Sequence, residues 1–332
     1  MTKQNRHRLL VGVLCVILAF PLLLPMSSQA VIGNTAESSL SPIALHTNPA
    51  PTVPNGTAPP REEYNPYAEE PQGHHNLGVV AIFFEGAKLN MNSPARLIDD
   101  TTFVPLAELS AILASQEAFY PTEIYSNFSE DYTLTLQLYG LIITARVDDP
   151  YLVANGRYLF VPSLIRLIDE EVFVPLRPLA LAWGMDVSWC NDTRSINLYH
   201  EHEFILCGSL FYDEEELYWM ARIIRIESHN ETFIGKVAVG NVVMNRTVSH
   251  HFPDTVYEVI FDRRHGVQFP PAFTNAMTAI EPCARCYIAA KLALDGASVV
   301  EDALYFNRRG LNSWASRNRP YIMSIGNHSF FG

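Results

Sequence analysis

Residues 213–231 read DEEELYWMARIIRIESHNE, and their spacing decides how the C-terminal part of the chain folds. Asp213 stands three residues before Glu216, a capping-box-like start at which a side-chain oxygen meets the free backbone N–H groups of a helix. Leu217, Met220, Ala221 and Ile224 recur at helical spacing, which predicts an amphipathic helix over residues 214–227. At about 100° per residue, Glu227 falls at the rim of the apolar stripe, on the side of Met220 and Ile223. A carboxyl group there is partly desolvated, so its pKa rises toward the range of a general acid. The competing reading is a glutamate that reaches solvent or pairs with Arg222 or Arg225.

Downstream, Val237 to Val243 reads as a core helix, and Tyr287 to Leu294 as a third helix ended by Asp295-Gly296. Upstream, Leu97-Ile98-Asp99-Asp100-Thr101-Thr102-Phe103-Val104-Pro105-Leu106 returns seventy residues later as Leu167-Ile168-Asp169-Glu170-Glu171-Val172-Phe173-Val174-Pro175-Leu176. Each unit reads as a polar turn, a short strand ending at proline and then a helix, the second running from Pro178 to Trp183 and closed by Gly184. Met185 to Trp189 and Ser195 to Tyr199 alternate like paired strands around Cys190-Asn191-Asp192. Further strands are expected at Val79 to Phe84, Tyr132 to Tyr139 and Leu141 to Val147. The expected organisation is multi-domain, with an α+β module over 78–200, a connector over 201–212 and a mostly helical α+β domain over 213–332.

Lys3, Arg6 and Arg8 precede an apolar run from Leu9 to Phe20 that continues to Ser28-Gln29-Ala30, a cleavable export signal over 1–30. An uncleaved anchor is the alternative; no later stretch is long and apolar enough to span a bilayer. Residues 31–77 hold 8 of the 22 prolines and read as an exposed linker, in which His74-His75 is solvated. The net charge of −12 divides into +3 over 1–30, −14 over 31–212 and −1 over 213–332, which disfavours a generic nucleic-acid binder and points to a modular chain. Export leaves Cys190, Cys207, Cys283 and Cys286 where disulfides persist. Cys283-Ala284-Arg285-Cys286 reads as a structural disulfide or free thiols, against a redox pair or a zinc half-site; no second CxxC or His spacing completes a metal site. No GxxxxGK[ST] or GxSxG motif is present, so nucleotide and serine-hydrolase chemistry are unsupported.

The stretch LIDEEVFVPLRPLALAWGMDVSWCNDTRSINLY, residues 167–199, resembles the copper amine oxidase N-terminal-like (stalk) domain over about 78–200. That resemblance implies an accessory role in positioning or wall association. It does not bring copper, because His200-Glu201-His202 is the nearest thing to a ligand set.

Ile226-Glu227-Ser228-His229-Asn230-Glu231, Gly235 to Arg246, Phe252-Pro253, Val259-Ile260, Gln268-Phe269, Ala303 to Asn307 and Ile325 to Phe330 resemble the SleB/CwlJ-type cell wall hydrolases, the spore cortex-lytic enzymes. The resemblance covers about 213–332. It implies a small lysozyme-like fold, Glu227 as the catalytic acid, and Gln268, Phe269, Tyr305, Asn307 and His328 as glycan contacts. Asn241 and Asn245 either line the groove or cap buried polar groups. Glu231 is a possible second carboxylate, or it orients a neighbour. His229 and Asn230 depart from the family's Arg-Gly, Val267 interrupts its Gly-Gln-Phe, and Asn230 is expected to turn the chain in the left-handed conformation after the helix.

The implied function is an exported peptidoglycan-lytic enzyme in the envelope of a Gram-positive, spore-forming bacterium. It would cleave the MurNAc–GlcNAc bond as a lytic transglycosylase and need no metal or cofactor. Peptidoglycan glycan strands are its expected partner, along with an accessory or inhibitor protein. The alternatives are an N-acetylmuramoyl-L-alanine amidase and a non-catalytic wall-binding protein.

Overall fold

The computed structural model describes residues 78–332, apart from 117–124, 139 and 265. The export signal and the linker read from the sequence lie outside those residues, as does His74-His75.

The first module is built on the repeat. Strands β1 (Gly78–Phe84), β2 (Ala87–Lys88), β3 (Ala95–Ile98) and β4 (Thr101–Pro105) lead into helix α1 (Leu106–Gln116). A meander follows, with β5 (Tyr125–Phe128), β6 (Thr133–Leu138), β7 (Leu141–Arg146), β8 (Tyr151–Ala154) and β9 (Arg157–Phe160) paired in sequence order as one antiparallel sheet. The second copy of the repeat supplies β10 (Arg166–Ile168), β11 (Glu171–Pro175) and α2 (Leu176–Ala182), then β12 (Met185–Cys190) and β13 (Ser195–His200) close the module. Its larger sheet has the order β10-β11-β4-β3-β1-β13-β12, with β2 hydrogen-bonded to β1. The second helix starts two residues before Pro178, which sits within its first turn, where a missing N–H costs nothing.

The two copies meet as mirror partners in sequence. β4 and β11 run antiparallel with Val104 opposite Val174, Phe103 opposite Pro175 and Pro105 opposite Phe173, a local two-fold arrangement. Side chains obey it too. Arg96 pairs with Asp169 and lies over Phe173, while Arg166 pairs with Asp99 at 3.3 Å and lies over Phe103. The polar turns Asp99-Asp100 and Asp169-Glu170 have positive φ at both residues, the conformation whose twist suits a two-residue hairpin.

After the short helix α3 (Gly208–Phe211), the second module opens with α4 (Glu214–Glu227), the helix expected from its periodicity. The Asp213 side chain accepts from the N–H groups of Glu215 and Glu216. Helices α5 (Phe233–Val248), α6 (Val256–Ile260), α7 (Ala276–Ala279) and α8 (Ala284–Leu294) pack with it around Met220, Ile223, Ile224, Val239, Val243 and Leu292. Gly240 lets α5 approach closely: a Cβ there would stand 2.8 Å from the Ala293 Cβ and 3.1 Å from the Ile224 Cδ1. Helix α8 begins three residues before the expected Tyr287, with Cys283 as its N-cap, so the CxxC lies on a helix start. Strand β14 (Tyr305–Arg308), helix α9 (Trp314–Asn318) and strands β15 (Tyr321–Ile325) and β16 (His328–Phe331) complete the chain as a three-stranded sheet in the order β14-β16-β15.

The connector is packed. Gly208 N donates to Asn155 O at 2.8 Å, and Asn155 Nδ2 donates to Ile205 O at 3.2 Å. Beyond it, Arg157 of β9 makes a bidentate ion pair with Asp295, the residue that ends α8, at 2.7 and 3.0 Å. Tyr212 donates to the same carboxylate at 2.9 Å and accepts from the Tyr158 N–H. Tyr151, Tyr158 and Phe160 of the first module pack against the core of the second. Among the described residues, no helix is long and apolar enough to cross a membrane.

Candidate active site

Glu227 is the last residue of α4, and the chain turns immediately after it. Ser228 is buried and its hydroxyl donates back to Ile224 O, while the buried Lys236 ammonium donates to the carbonyls of Ser228, His229 and Glu231. The turn therefore needs no left-handed residue: Asn230 is not among the residues with positive φ, contrary to the expectation from sequence. A lysine from the next helix supplies the hydrogen bonds that a left-handed cap would otherwise arrange.

The partners foreseen for Glu227 are engaged elsewhere. Arg222 donates to the carbonyls of Met277, Thr278 and Ile280 and to Glu281, and Arg225 meets the His229 ring. Glu227 instead faces Arg246 of α5, and its Oε1 is buried without a hydrogen-bond partner. Burial pushes the Glu227 carboxyl up to about 7, against a smaller opposing pull from the Arg246 cation. The carboxyl therefore holds its proton to near-neutral pH and exchanges it with modest driving force, the behaviour wanted of a general acid.

Arg246 is the residue the sequence reading missed. It is 3% exposed, its guanidinium lies 4.8 Å from the Phe252 ring and 4.9 Å from the Phe269 ring, and Nε donates to Leu304 O at 2.8 Å. Nη2 donates to Gln268 Oε1 at 3.3 Å, and Nη1 has no partner. Burial lowers its pKa to about 10, which leaves it cationic at neutral pH. Two buried unpartnered atoms, one an acid oxygen and one a cationic donor, belong to neighbouring side chains; such groups are costly unless a ligand completes them.

The remaining candidates separate into two sets. Tyr305, Asn307 and His328 are half-buried around the C-terminal sheet. Tyr305 stacks edge-on with the exposed Trp314 at 5.6 Å, and its hydroxyl accepts from Arg319 at 3.3 Å. Asn307 donates to Ser313. His328 packs against Phe306, its Nδ1 is buried without a partner, and burial holds its pKa below the usual imidazole range.

The other set faces inward. Phe269 is 1% exposed and supports Arg246, so as a glycan contact it is corrected: the ring sits in the core. Asn241, 2% exposed, donates to Ala297 O at 2.6 Å and accepts from Val299 N at 2.8 Å, while Asn245 donates to the carbonyls of Glu301 and Ala303. Both clamp the loop after α8, which is the capping alternative rather than a groove lining.

Glu231 accepts from the Asn327 N–H at 3.0 Å and lies near enough to His328 to favour its protonated form. It holds the turn between β15 and β16. Gly326 in that turn has φ +54°, and a Cβ there would come within 2.1 Å of Glu231 Oε2. Gly326→Ala is therefore expected to break the Glu231 contact and cost about 1–3 kcal/mol, read as a lowered midpoint of urea unfolding.

An open cavity of about 570 Å³ lies beyond Phe252, lined by charged groups that include Glu258, Asp262, Arg263 and Arg264. It does not contain Glu227. Among the described residues no group of three or more His, Cys, Asp or Glu side chains is gathered to hold a metal ion.

A family profile described as Cell Wall Hydrolase matches residues 230–331, and one described as Copper amine oxidase N-terminal domain matches residues 83–198. The hydrolase match begins just after Glu227, so the role of that carboxyl rests on its surroundings. The chain is similar to a spore cortex-lytic enzyme of Bacillus cereus, 34% identical over 123 residues that make up 36% of this chain and 45% of that protein. A spore cortex-lytic enzyme of Oceanobacillus iheyensis is 35% identical over 123 residues, 36% of this chain and 42% of that one. The chain thus spans less than half the length of these curated relatives.

Among solved structures, the catalytic domain of the Bacillus cereus SleB protein is 31% identical, with 36% of this chain and 92% of that chain covered and a TM-score of 0.33. The catalytic domain of the germination-specific lytic transglycosylase SleB from Bacillus anthracis is 30% identical, with 39% and 100% covered and a TM-score of 0.33. Residues 230–331 belong to the cell wall hydrolase family that includes the spore cortex-lytic enzymes, and the module before them is a copper amine oxidase N-terminal domain.

Proposed function

We propose that this protein is a peptidoglycan-lytic enzyme that cleaves the MurNAc–GlcNAc bond as a lytic transglycosylase, with Glu227 as its single acid and base. The observation that carries the reading is a buried, unpartnered carboxyl oxygen raised to about 7 beside a buried cation. Protonated Glu227 gives its proton to the glycosidic oxygen as the bond from C1 to that oxygen breaks. The resulting carboxylate then takes the proton of the muramic 6-OH as that oxygen bonds to C1, which closes a 1,6-anhydro ring and restores the acid without water.

The second carboxylate of an ordinary glycosidase is not required by this route. Glu231, held by the Asn327 N–H, acts as a positioning residue for the His328 turn. Arg246 offsets part of the effect of burial on Glu227 by stabilising its ionised form, the carboxylate that takes up the 6-OH proton. Tyr305, Asn307, His328 and Gln268 supply further polar and aromatic contacts. The stalk-like module, held by Arg157 and Asp295, positions the catalytic domain on the wall or cortex.

Mass spectrometry of muropeptides released from purified cortex and vegetative peptidoglycan tests the reading. Anhydro-muramyl ends that vanish in Glu227→Gln are expected. Reducing ends would move the mechanism to water, free peptides with intact glycans would replace it by an amidase, and release indifferent to Glu227 would leave a binding protein. Arg246→Met should raise the Glu227 pKa further, so the alkaline fall of the cleavage rate shifts to higher pH; an unmoved pH profile would remove Arg246 from the site.

A further inference from the structure

Among the described residues, one pair of cysteine side chains is in contact. Cys283 is exposed and caps the N-terminus of α8, and Cys286, one turn along, is fully buried. Their sulfurs are 3.1 Å apart, and the Cys286 N–H donates to Cys283 O at 2.8 Å, which fixes the turn that brings them together. The two thiols differ as their surroundings require. Partial burial works to raise the Cys283 thiol, but the neighbouring Cys286 thiol, the Cys286 backbone N–H, the Lys236 cation and the Arg285 N–H together hold it below its ordinary range, while burial pushes Cys286 up to about 12. Lys236 is the same residue whose ammonium ties the carbonyls of Ser228, His229 and Glu231 after Glu227.

We propose that Cys283 and Cys286 form a thiol–disulfide exchange site, with Cys283 as the outward-facing exchanging sulfur and Cys286 as the resolving one. The oxidant is an external disulfide of the small-thiol class. The Cys283 thiolate attacks one of its sulfurs and forms a mixed disulfide, releasing the first external thiol. Cys286 then loses its proton and displaces the second external thiol from Cys283, closing the ring. Two protein thiols and one external disulfide become one protein disulfide and two external thiols, and the reverse sequence opens the ring.

An exposed sulfur with a stabilised thiolate is a good leaving group, so this ring should open readily, unlike a sealed structural disulfide. The site therefore tracks the thiol balance outside the protein, one lysine away from the turn that carries Glu227.

The full chain treated with oxidised glutathione, then alkylated and mapped by mass spectrometry, tests the site. Cys283 and Cys286 are expected to join to each other, and excess reduced glutathione is expected to release both without denaturant. In Cys286→Ala the reaction should stop at a glutathione adduct on Cys283, whereas Cys283→Ser should leave Cys286 unmodified. Adducts on Cys286 in preference to Cys283, a pair that stays reduced, or a ring that opens only after unfolding would each overturn the proposal. These readouts follow sulfur and not cleavage, so they stand apart from the lytic reading.

Discussion

Glu227→Gln is expected to abolish glycan cleavage, a loss of about 10²–10⁴-fold or more for removal of a general acid, while making the protein more stable at alkaline pH. The two effects have one cause. Folded Glu227 titrates near 7 against 4.5 for an ordinary glutamate, so the folded chain binds a proton between those values that the unfolded chain has released. Stability from this group is fully present below about pH 4.5 and is lost as pH rises through about 7. A neutral glutamine has the same shape without that penalty. At pH 8 the variant should therefore gain on the order of 1–3 kcal/mol, and at pH 4 it should be close to the native protein. Urea unfolding at both values measures it. An inactive variant with an unchanged pH dependence of stability would mean that Glu227 is solvated in the folded state.

The contrast with Arg246 shows what the sequence can carry. Glu227 was legible because its desolvation follows from one helix: the stripe of Met220, Ile223 and Ile224 is local, and the angle between residues fixes which side the carboxyl takes. The burial of Arg246 depends on Phe252, Phe269 and Tyr305, which come from three separate segments, and no periodicity joins them. Residue type misleads in the same way at Phe269 and leaves groove and cap as equal alternatives at Asn241, where the structure has the cap. An aromatic ring or an amide in a family motif can face a sugar or hold the wall behind it, and only packing separates the two. The repeat was legible as two copies, but its two-fold pairing through β4 and β11 was not, since register between strands seventy residues apart is set by tertiary contacts. Asn230 fails for a related reason: Lys236, the fourth residue of α5, satisfies the turn.

Arg157→Ala should cost about 3–5 kcal/mol, because it leaves the Asp295 carboxylate buried with a single remaining donor. Asp295 has 2% side-chain exposure and Arg157 has 13%, so neither charge is relieved by water while the pair is intact. Asp295 also ends α8, where the helix dipole disfavours a negative charge; Arg157 offsets both that and the desolvation. With the arginine gone, Tyr212 alone would face the carboxylate, and the Arg157 contact 3.5 Å over the Phe211 ring would be lost as well. The energy crosses from β9 to α8 and thus couples the stalk-like module to the catalytic one. Unfolding of the native chain should therefore be a single transition, and that of Arg157→Ala should split in two, with the connector at 201–212 becoming open to proteolysis. Asp295→Asn in the Arg157→Ala background removes the orphaned charge and should restore part of the stability without restoring the coupling. A single transition at an unchanged midpoint in Arg157→Ala would mean that the aromatic contacts of Tyr151 and Tyr158 hold the modules together unaided.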